Sequence, residues 1–204
     1  ERKIEDSQHT VMTVPDYVRR VVTIGESTVD IMGAIGGEPY IVATDGSPYS
    51  SSTHINGRVE LTVDSIKSYE PDVVVAPDST PPSLVSSLRA AGVPVFVYTK
   101  KDSFNDIILA TKTIGKIFKD EDSEREFIVS RRNVKKLVEP HEKDKKPVIA
   151  LYNSSHGVYR SGIVRDMIEQ VHGIDGAGNL VITESGKDIH MLSDVWWYRD
   201  HKTT

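Results

Sequence analysis

The stretch that decides the fold is Ser103–Pro140, SFNDIILATKTIGKIFKDEDSEREFIVSRRNVKKLVEP. Its one glycine is Gly115 and its one proline ends it, and its apolar residues recur at the three- and four-residue spacing of an α-helix. The charged run Lys119–Asp122 interrupts this pattern. Two helices are therefore predicted, Ser103–Phe118 and Ser123–Val138, in a spacer between two α/β units.

The second predicted helix is the expected bridge between the two units. Ser123 precedes Glu126 by three residues, which is the spacing of a capping box at a helix start. At about 16 residues and 1.5 Å per residue, the helix is about 24 Å long. It contains no glycine or proline, so we expect a rigid connection with little hinge motion. The first helix is expected to pack on the preceding unit.

On the N-terminal side of the spacer, short strands alternate with helices. Residues 2–14 have the pattern of a β-hairpin, expected at an edge or as a lid outside the core. Strands are predicted over 20–24, 40–43, 71–76 and 94–98, and helices over 29–35, 61–69 and 83–91. This alternation predicts a parallel sheet with helices on both faces and a ligand site beyond the carboxyl ends of its strands.

The same pattern restarts after the spacer but is shorter. A strand is predicted over 146–152, followed by an exit loop over 153–160, a helix over 161–171 and a turn into a further strand over 176–181. The predicted domain limits are 1–118 for the first lobe, 119–146 for the connecting helix and 147–204 for a short or truncated second lobe.

Composition excludes several classes of function. The 204 residues include 38% apolar ones, enough to bury a core, and the net charge of −5 gives no basic face for nucleic acid. No apolar run approaches the roughly 18–20 residues that cross a bilayer. Cysteine is absent, so disulfides and cysteine-ligated metals are excluded. The chain begins at Glu1 without a signal peptide, and we expect an N-terminal address to have been removed.

A family resemblance rests on the order of these segments. The hairpin, "RRVVTIGEST", "VELTVDSIKSYEPDVVVA", "LRAAGVPVFVY", the helical spacer, "KPVIALY" and "DMIEQVHGIDGAGNL" together resemble the substrate-binding proteins of iron-chelate and cobalamin ABC importers. The most specific piece is the helix, Pro-Asp and strand over 65–76. The resemblance implies two Rossmann-like α/β lobes with parallel sheets, joined by a rigid helix, with the ligand in the cleft between them.

The candidate ligand-binding residues follow the predicted strands. Glu26, Ser27 and Thr28 stand where a strand becomes a helix, although serine and threonine there also serve as plain N-caps. Aromatic side chains suit a porphyrin, corrin or catecholate plane, and an arginine suits a ligand carboxylate, with core packing or solvent exposure as the alternative. The remaining candidates lie at the end of a predicted strand or in the loop that follows it. They are Tyr49, His54, Ser79, Tyr98, Tyr152, His156, Tyr159 and Arg160.

The resemblance also implies permease docking through a carboxylate on the helix before the Pro-Asp strand. The family commonly has glutamate there, whereas this chain has Asp64, whose side chain is one methylene shorter. The corresponding position of the second lobe falls near 191–194, where no matching glutamate is found.

Histidine and tryptophan patterns give weaker indications. The seven histidines show neither HxH nor HExxH spacing, so no metal site is predicted, although His54 and His156 facing each other could bind heme iron or a bare ion. Trp196 and Trp197 are adjacent on a predicted helix, so at most one is expected to face a ligand.

The expected function is that of a non-enzymatic extracytoplasmic binding component of an ABC importer. Its expected ligand is a metal chelate, with ferric siderophore first, cobalamin or heme next and bare metal last, and no cofactor of its own is expected. The expected protein is a periplasmic or extracellular monomer, attached to the membrane through its permease or a removed N-terminal anchor. The alternative is an α/β enzyme for a small phosphorylated or nucleotide substrate, but GxSxG and phosphate-loop motifs are absent.

Overall fold

The computed structural model describes residues 1–45, 55, 57–120, 122–141, 143–146, 148–153, 157–159, 162–175 and 180–183, with backbone alone at 126, 141, 150–153, 157–159 and 180–183. The chain divides into two compact units. The first comprises Glu1–Lys101 and Asn105–Glu126, and the second comprises Asp102–Phe104 and the residues from Phe127 onward. The mixed α/β class predicted from the sequence is confirmed.

The first unit alternates strands and helices as expected. A hairpin of β1 (Arg2–Glu5) and β2 (Val11–Val14) precedes β3 (Val21–Thr23), α1 (Glu26–Ala34), β4 (Ile41–Thr44), α2 (Val63–Lys67), β5 (Val73–Pro77), α3 (Pro82–Ala90), β6 (Val95–Tyr98) and α4 (Phe104–Gly115). Short 3-10 turns occupy Glu38–Tyr40 and Lys116–Phe118. Strands β4, β3, β5 and β6 form a parallel sheet in that order.

The parallel sheet is buried on both faces. Successive residues of a strand point to opposite faces, and here they enter two different apolar clusters. Val73 and Val75 of β5 belong to one cluster with Phe96 of β6, whereas Val74 belongs to the other with Val95. The continuous apolar runs of β5 and β6 are thus explained, because parallel strands covered by helices on both sides need no polar face.

The N-terminal hairpin is part of the core, which corrects the prediction that it lies outside. Ile4 and Val14 are buried in the first cluster. The turn carries Asp6, whose carboxylate has no exposed surface and accepts hydrogen bonds from Arg89 Nη2 at 2.8 Å and the Val97 amide at 3.1 Å. The same carboxylate accepts from the amides of its own turn. The hairpin is therefore fastened to the β6 edge of the sheet.

The second unit is organised around β7 (Val148–Asn153). It continues with β8 (Gly157–Tyr159), α6 (Gly162–Gln170), β9 (Ile174–Asp175) and β10 (Leu180–Thr183). Strand β7 pairs in parallel with β9 and β10 and antiparallel with β8. The segment 153–160, predicted as a loop, therefore includes a strand, and this sheet is mixed. Its buried apolar cluster contains Ile149, Val164 and Ile168.

Residues 102–104 belong to the second unit because they are bonded to α6. The Asp102 carboxylate accepts hydrogen bonds from the amides of Gly162 at 2.6 Å and Ile163 at 3.2 Å, which caps the N-terminus of α6. The Phe104 amide in turn donates to Asp166 Oδ2 at 2.7 Å. A Cβ at position 162 would lie 1.8 Å from the Asp102 carbonyl oxygen, so glycine is required there.

The helix α5 (Arg125–Val138) starts later than the predicted bridge, and a turn at Glu139–His141 follows it. The Ser123 hydroxyl, expected to cap this helix, instead donates to the Thr111 carbonyl at 3.0 Å. Ser123 therefore holds the segment between α4 and α5 against α4. The domain limits predicted above, 1–118, 119–146 and 147–204, remain a prediction.

Candidate functional site

The candidate site is the edge of the first unit where the parallel strands end. Because β3, β4, β5 and β6 run in parallel, the segments that follow them lie at one edge of the sheet. These segments are Gly25–Ser27, Asp45, Asp78–Thr80 and Thr99–Lys100. We call this region the carboxyl-end edge.

Hydrogen bonds hold neighbouring segments of the carboxyl-end edge together. The Gly25 amide donates to Asp45 Oδ1 at 2.7 Å, and the Lys100 amide donates to Asp78 Oδ1 at 3.1 Å. Gly25 has φ +84°, and a Cβ there would approach the Pro77 ring to 3.3 Å. Glycine is therefore needed where the chain turns from β3 into α1. Asp45 was missed as a site residue, although a carboxylate directly after a buried strand was visible in the sequence.

Helix α1 brings the three predicted residues Glu26, Ser27 and Thr28 to the carboxyl-end edge with different exposure. Glu26 is exposed, Ser27 is half-buried and Thr28 is buried. The N-cap is Gly25, and no side chain caps the helix. The alternative interpretation of Ser27 and Thr28 as N-caps is therefore not what the structure shows. Glu26 and Ser27 remain candidates for ligand contact.

Tyr98 lies in the interior, which argues against its predicted role of stacking on a ligand. Its side chain belongs to the buried cluster beneath α1 and is 1% exposed. The Thr28 hydroxyl donates to the Ile24 carbonyl, so the Tyr98 hydroxyl, 3.0 Å away, donates to Thr28. Burial raises the pKa of Tyr98, while the hydrogen bonds to Thr28 and Ser27 oppose that rise. Tyr98 and Thr28 are therefore buried residues that pack behind the carboxyl-end edge.

Carboxylates dominate the exposed part of the carboxyl-end edge. Burial, followed by repulsion from Glu26, raises the pKa of Asp30, which lies one turn further along α1. Asp78 and the predicted Ser79 are exposed in the segment after β5. The segments after β3 and β5 therefore offer hydrogen-bond acceptors and negative charge, while the segment after β6 offers the exposed cation Lys100.

The other predicted ligand residues are less fully described. Tyr49, His54, His156 and Arg160 lie outside the described residues, as do Trp196 and Trp197. The backbones of Tyr152 and Tyr159 lie on β7 and β8, where Tyr152 pairs with Val158 and Tyr159 pairs with Leu151. The two tyrosines are thus not direct cross-strand partners, and their ligand contacts stay a prediction.

The predicted docking residue Asp64 is exposed in the first turn of α2. The helix is capped by Thr62, whose side chain accepts from the Ser65 amide at 3.3 Å. An exposed carboxylate near a helix N-terminus is available to a cationic partner. The docking role itself stays a prediction.

Within the part of the chain that the structure describes, no group of three or more histidine, aspartate or glutamate side chains is arranged to hold a metal ion. None of the described helices has the length and apolar character needed to cross a membrane.

The parallel sheet of the first unit, with a polar edge beyond its strands, and the mixed sheet of the second unit define an α/β protein. The sequence profile of the periplasmic binding protein family matches residues 21–186, and the chain belongs to this family. The family resemblance stated from the sequence is therefore confirmed. The expectation of a binding protein instead of an enzyme agrees with it.

The chain is similar to two curated relatives, the cobalamin-binding proteins of two strains of Halobacterium salinarum. Each is 27% identical over 119 residues, which cover 55% of this chain and 32% of the relative. The aligned part thus amounts to about a third of the length of these relatives.

Solved structures of similar fold include three heme-binding proteins. HutB of Vibrio cholerae has a TM-score of 0.67 at 15% identity, over 88% of this chain and 82% of that one. A periplasmic heme-binding protein of Pseudomonas aeruginosa has a TM-score of 0.60 at 16% identity, over 84% and 75%. RhuT of Roseiflexus sp. RS-1 has a TM-score of 0.54 at 20% identity, over 78% and 65%. At these identities the likeness establishes the fold.

Proposed function

We propose that this chain is the solute-binding component of an ABC importer and captures a metal-chelate nutrient outside the cell membrane. The observation that carries the proposal is the family match over residues 21–186, which spans the strands whose carboxyl ends form the acidic edge. Ligands of open α/β sheets bind at that edge. The proposed location is periplasmic or extracellular, with attachment through the permease or an N-terminal anchor.

For the ligand we propose a corrinoid of the cobalamin type ahead of heme and ferric siderophores. This order differs from the one expected from the sequence, which placed siderophores first. The names of the relatives support the change, because they refer to cobalamin and heme.

The carboxylates of α1 and of the segment after β5 support cobalamin over heme, although Lys100 at the same edge acts in the opposite direction. A corrin ring carries neutral amide side chains, whose N–H groups can donate to carboxylates such as Glu26 and Asp30. Heme carries two propionates, which the same carboxylates would repel. The exposed Asp78 carboxylate on the neighbouring segment would likewise accept hydrogen bonds from corrin amides and repel heme propionates.

The proposal is tested by calorimetric titration of the purified chain with cyanocobalamin, hemin and ferrichrome. We expect cyanocobalamin to bind most tightly, and Glu26→Gln combined with Asp30→Asn to weaken it about tenfold, a loss of about 1.4 kcal/mol. Glu70→Gln is the matched control, because Glu70 is exposed and precedes β5 at the opposite end of the sheet. Absence of binding to all three compounds would refute the proposed function, and tighter hemin binding would refute the ligand order.

The proposed docking residue requires a transport assay. With the cognate permease present, Asp64→Lys should reduce uptake while the ligand affinity of the purified protein is unchanged. Unchanged uptake would remove Asp64 from the docking surface.

A further inference from the structure

The first unit contains a cavity at the end of its sheet opposite the carboxyl-end edge. The cavity of about 420 Å³ is lined by residues 16–19, which precede β3, by residues 35, 36 and 40, which precede β4, and by residues 117–119. This volume falls within the range of roughly 300–1,000 Å³ that small-molecule sites occupy. We call it the amino-end pocket.

The amino-end pocket is lined by aromatic and apolar side chains together with the charged residues Asp16, Arg19 and Lys119. The rings of Tyr40 and Phe118 stack with centroids 5.5 Å apart and an interplanar angle of 21°. Buried Val18 and Ile117 also line the cavity, and the Tyr17 ring, 74% exposed, has little contact with the protein. Such surfaces favour a flat apolar ligand, which would cover ring area that is now in water.

Two cationic side chains stand at the same pocket. The Lys119 ammonium lies 5.0 Å from the centre of the Tyr17 ring and 3.7 Å from Asp16 Oδ1. Asp16 is shared with the amino group of Glu1 at 2.8 Å. The Arg19 guanidinium is exposed and makes no salt bridge with any described residue, while its backbone amide donates to Asp72 Oδ2 at 2.7 Å. An anionic group therefore has a planar, two-pronged donor available in Arg19.

The backbone around the pocket is held in place from several sides. The Arg2 guanidinium donates to the Lys116 carbonyl at 2.9 Å and to the Ile117 carbonyl, which fixes the 3-10 turn that carries Phe118. Lys119 then adopts a left-handed conformation at φ 59°, an uncommon one for a residue with a side chain. A preformed wall lowers the ordering cost of binding.

We propose that the amino-end pocket binds a planar aromatic compound with a single carboxylate or similar anionic group, separately from the carboxyl-end edge. The juxtaposition of Tyr17, Tyr40 and Phe118 with Arg19 carries this proposal. The ring of the ligand contacts the aromatic walls, and its anionic group accepts two hydrogen bonds from the Arg19 guanidinium. The site is independent of the proposed capture of a metal chelate.

The test compares two probes of equal ring size, naphthalene-2-carboxylate and the neutral naphthalene-2-methanol, by calorimetric titration of the whole chain. We expect the carboxylate to bind at least ten times more tightly than the alcohol. Arg19→Ser should abolish that preference, and Tyr17→Ala should weaken both probes. Both residues are exposed, and thermal unfolding confirms that each variant is folded.

Lys101→Ser is the matched control, since it removes an exposed cation that follows β6 near the other end of the sheet. It should leave both affinities unchanged. Equal affinity for the two probes, or affinities that are the same in Arg19→Ser, Tyr17→Ala and the unaltered chain, would overturn the proposal. Competition by saturating cyanocobalamin would assign the binding to the carboxyl-end edge and would also overturn it, whatever the fate of the proposed function.

Discussion

The sheet of the first unit is parallel and that of the second is mixed, and the two also differ in the apolar clusters described around them. In the first unit, alternate residues of β5 and β6 enter separate buried clusters on the two faces. In the described part of the second unit, the buried apolar cluster is Ile149, Val164 and Ile168, between β7 and α6. Buried apolar area is the main source of stability. We therefore expect the described part of the first unit to contribute more to the free energy of unfolding than that of the second.

The largest test of this difference is a pair of matched core truncations. Ile114→Ala in α4 removes a side chain that is fully buried and should cost about 4 kcal/mol of unfolding free energy. Ile168→Ala in α6 should cost less, about 2 kcal/mol, because Ile168 keeps 5% exposure whereas Ile114 has none. Urea unfolding measures both losses, and hydrogen exchange assigns them to a unit. Equal losses would show that the two cores are equally well packed.

A smaller effect is expected from Tyr98→Phe, which probes whether the interior of the first unit and its ligand edge are distinct. Loss of the hydroxyl leaves Thr28 without its buried donor and should cost about 1 kcal/mol in chemical unfolding. Cyanocobalamin affinity should not change. Tyr69→Phe is the control, because its hydroxyl bond to the Arg58 carbonyl is exposed and its loss should cost less. A tenfold fall in cyanocobalamin affinity would show that Tyr98 belongs to the binding site.

The smallest effect concerns the exposed edge itself. The pKa of Asp30 is raised above its usual value of 3.8, so the folded protein binds the proton more tightly than the unfolded chain. Stability must therefore fall as pH rises from 3.8 through the raised pKa. Asp30→Asn should remove that fall and add about 0.3 kcal/mol at pH 7, the usual size of a like-charge pair one helical turn apart.

The measurement is thermal unfolding at pH 3 and pH 7 of Asp30→Asn, Glu26→Gln and the double variant. Asp30→Asn should stabilise at pH 7 and not at pH 3, and its gain should be smaller in the Glu26→Gln background, where the repelling charge is already absent. Additive gains would mean that the two carboxylates do not interact.

Much of the first unit was predictable because its strands are apolar runs bounded by proline and glycine. The predicted strand over 94–98 is observed at Val95–Tyr98, and the predicted helix over 83–91 at Pro82–Ala90. The strand over 71–76 is observed at Val73–Pro77. Such boundaries are local properties, so neighbouring residues suffice to predict them.

The candidate site was harder to predict because the direction of each side chain depends on what covers the sheet. Tyr98 follows Phe96 by two residues and so faces the same cluster. Since helices cover both faces, a tyrosine inside β6 is buried whichever way it points. The sequence predicted that Tyr98 lies at the carboxyl end of the strand. It did not predict that other elements bury the Tyr98 side chain.

Contacts between distant residues were not predictable from the sequence. The Asp45 carboxylate bonds the Gly25 amide across 20 residues, and no local pattern specifies that pairing. The same limit explains Ser123, whose hydroxyl has the spacing of a cap but bonds Thr111 in α4. Side-chain polar groups choose among several partners, and tertiary structure makes that choice.

The contact between Asp6 and Arg89 has a consequence for how the protein is made. The two residues are 83 positions apart, and the Val97 amide, which also bonds Asp6, comes later still. During synthesis on the ribosome, the hairpin emerges before Arg89 and Val97 and can form within microseconds. The Asp6 carboxylate, which is buried in the folded protein, then stays exposed to water until β6 has left the exit tunnel. The hairpin is thus made before the residues that hold it to the sheet, and synthesis must pass Val97 before the Asp6 carboxylate acquires all of its native partners.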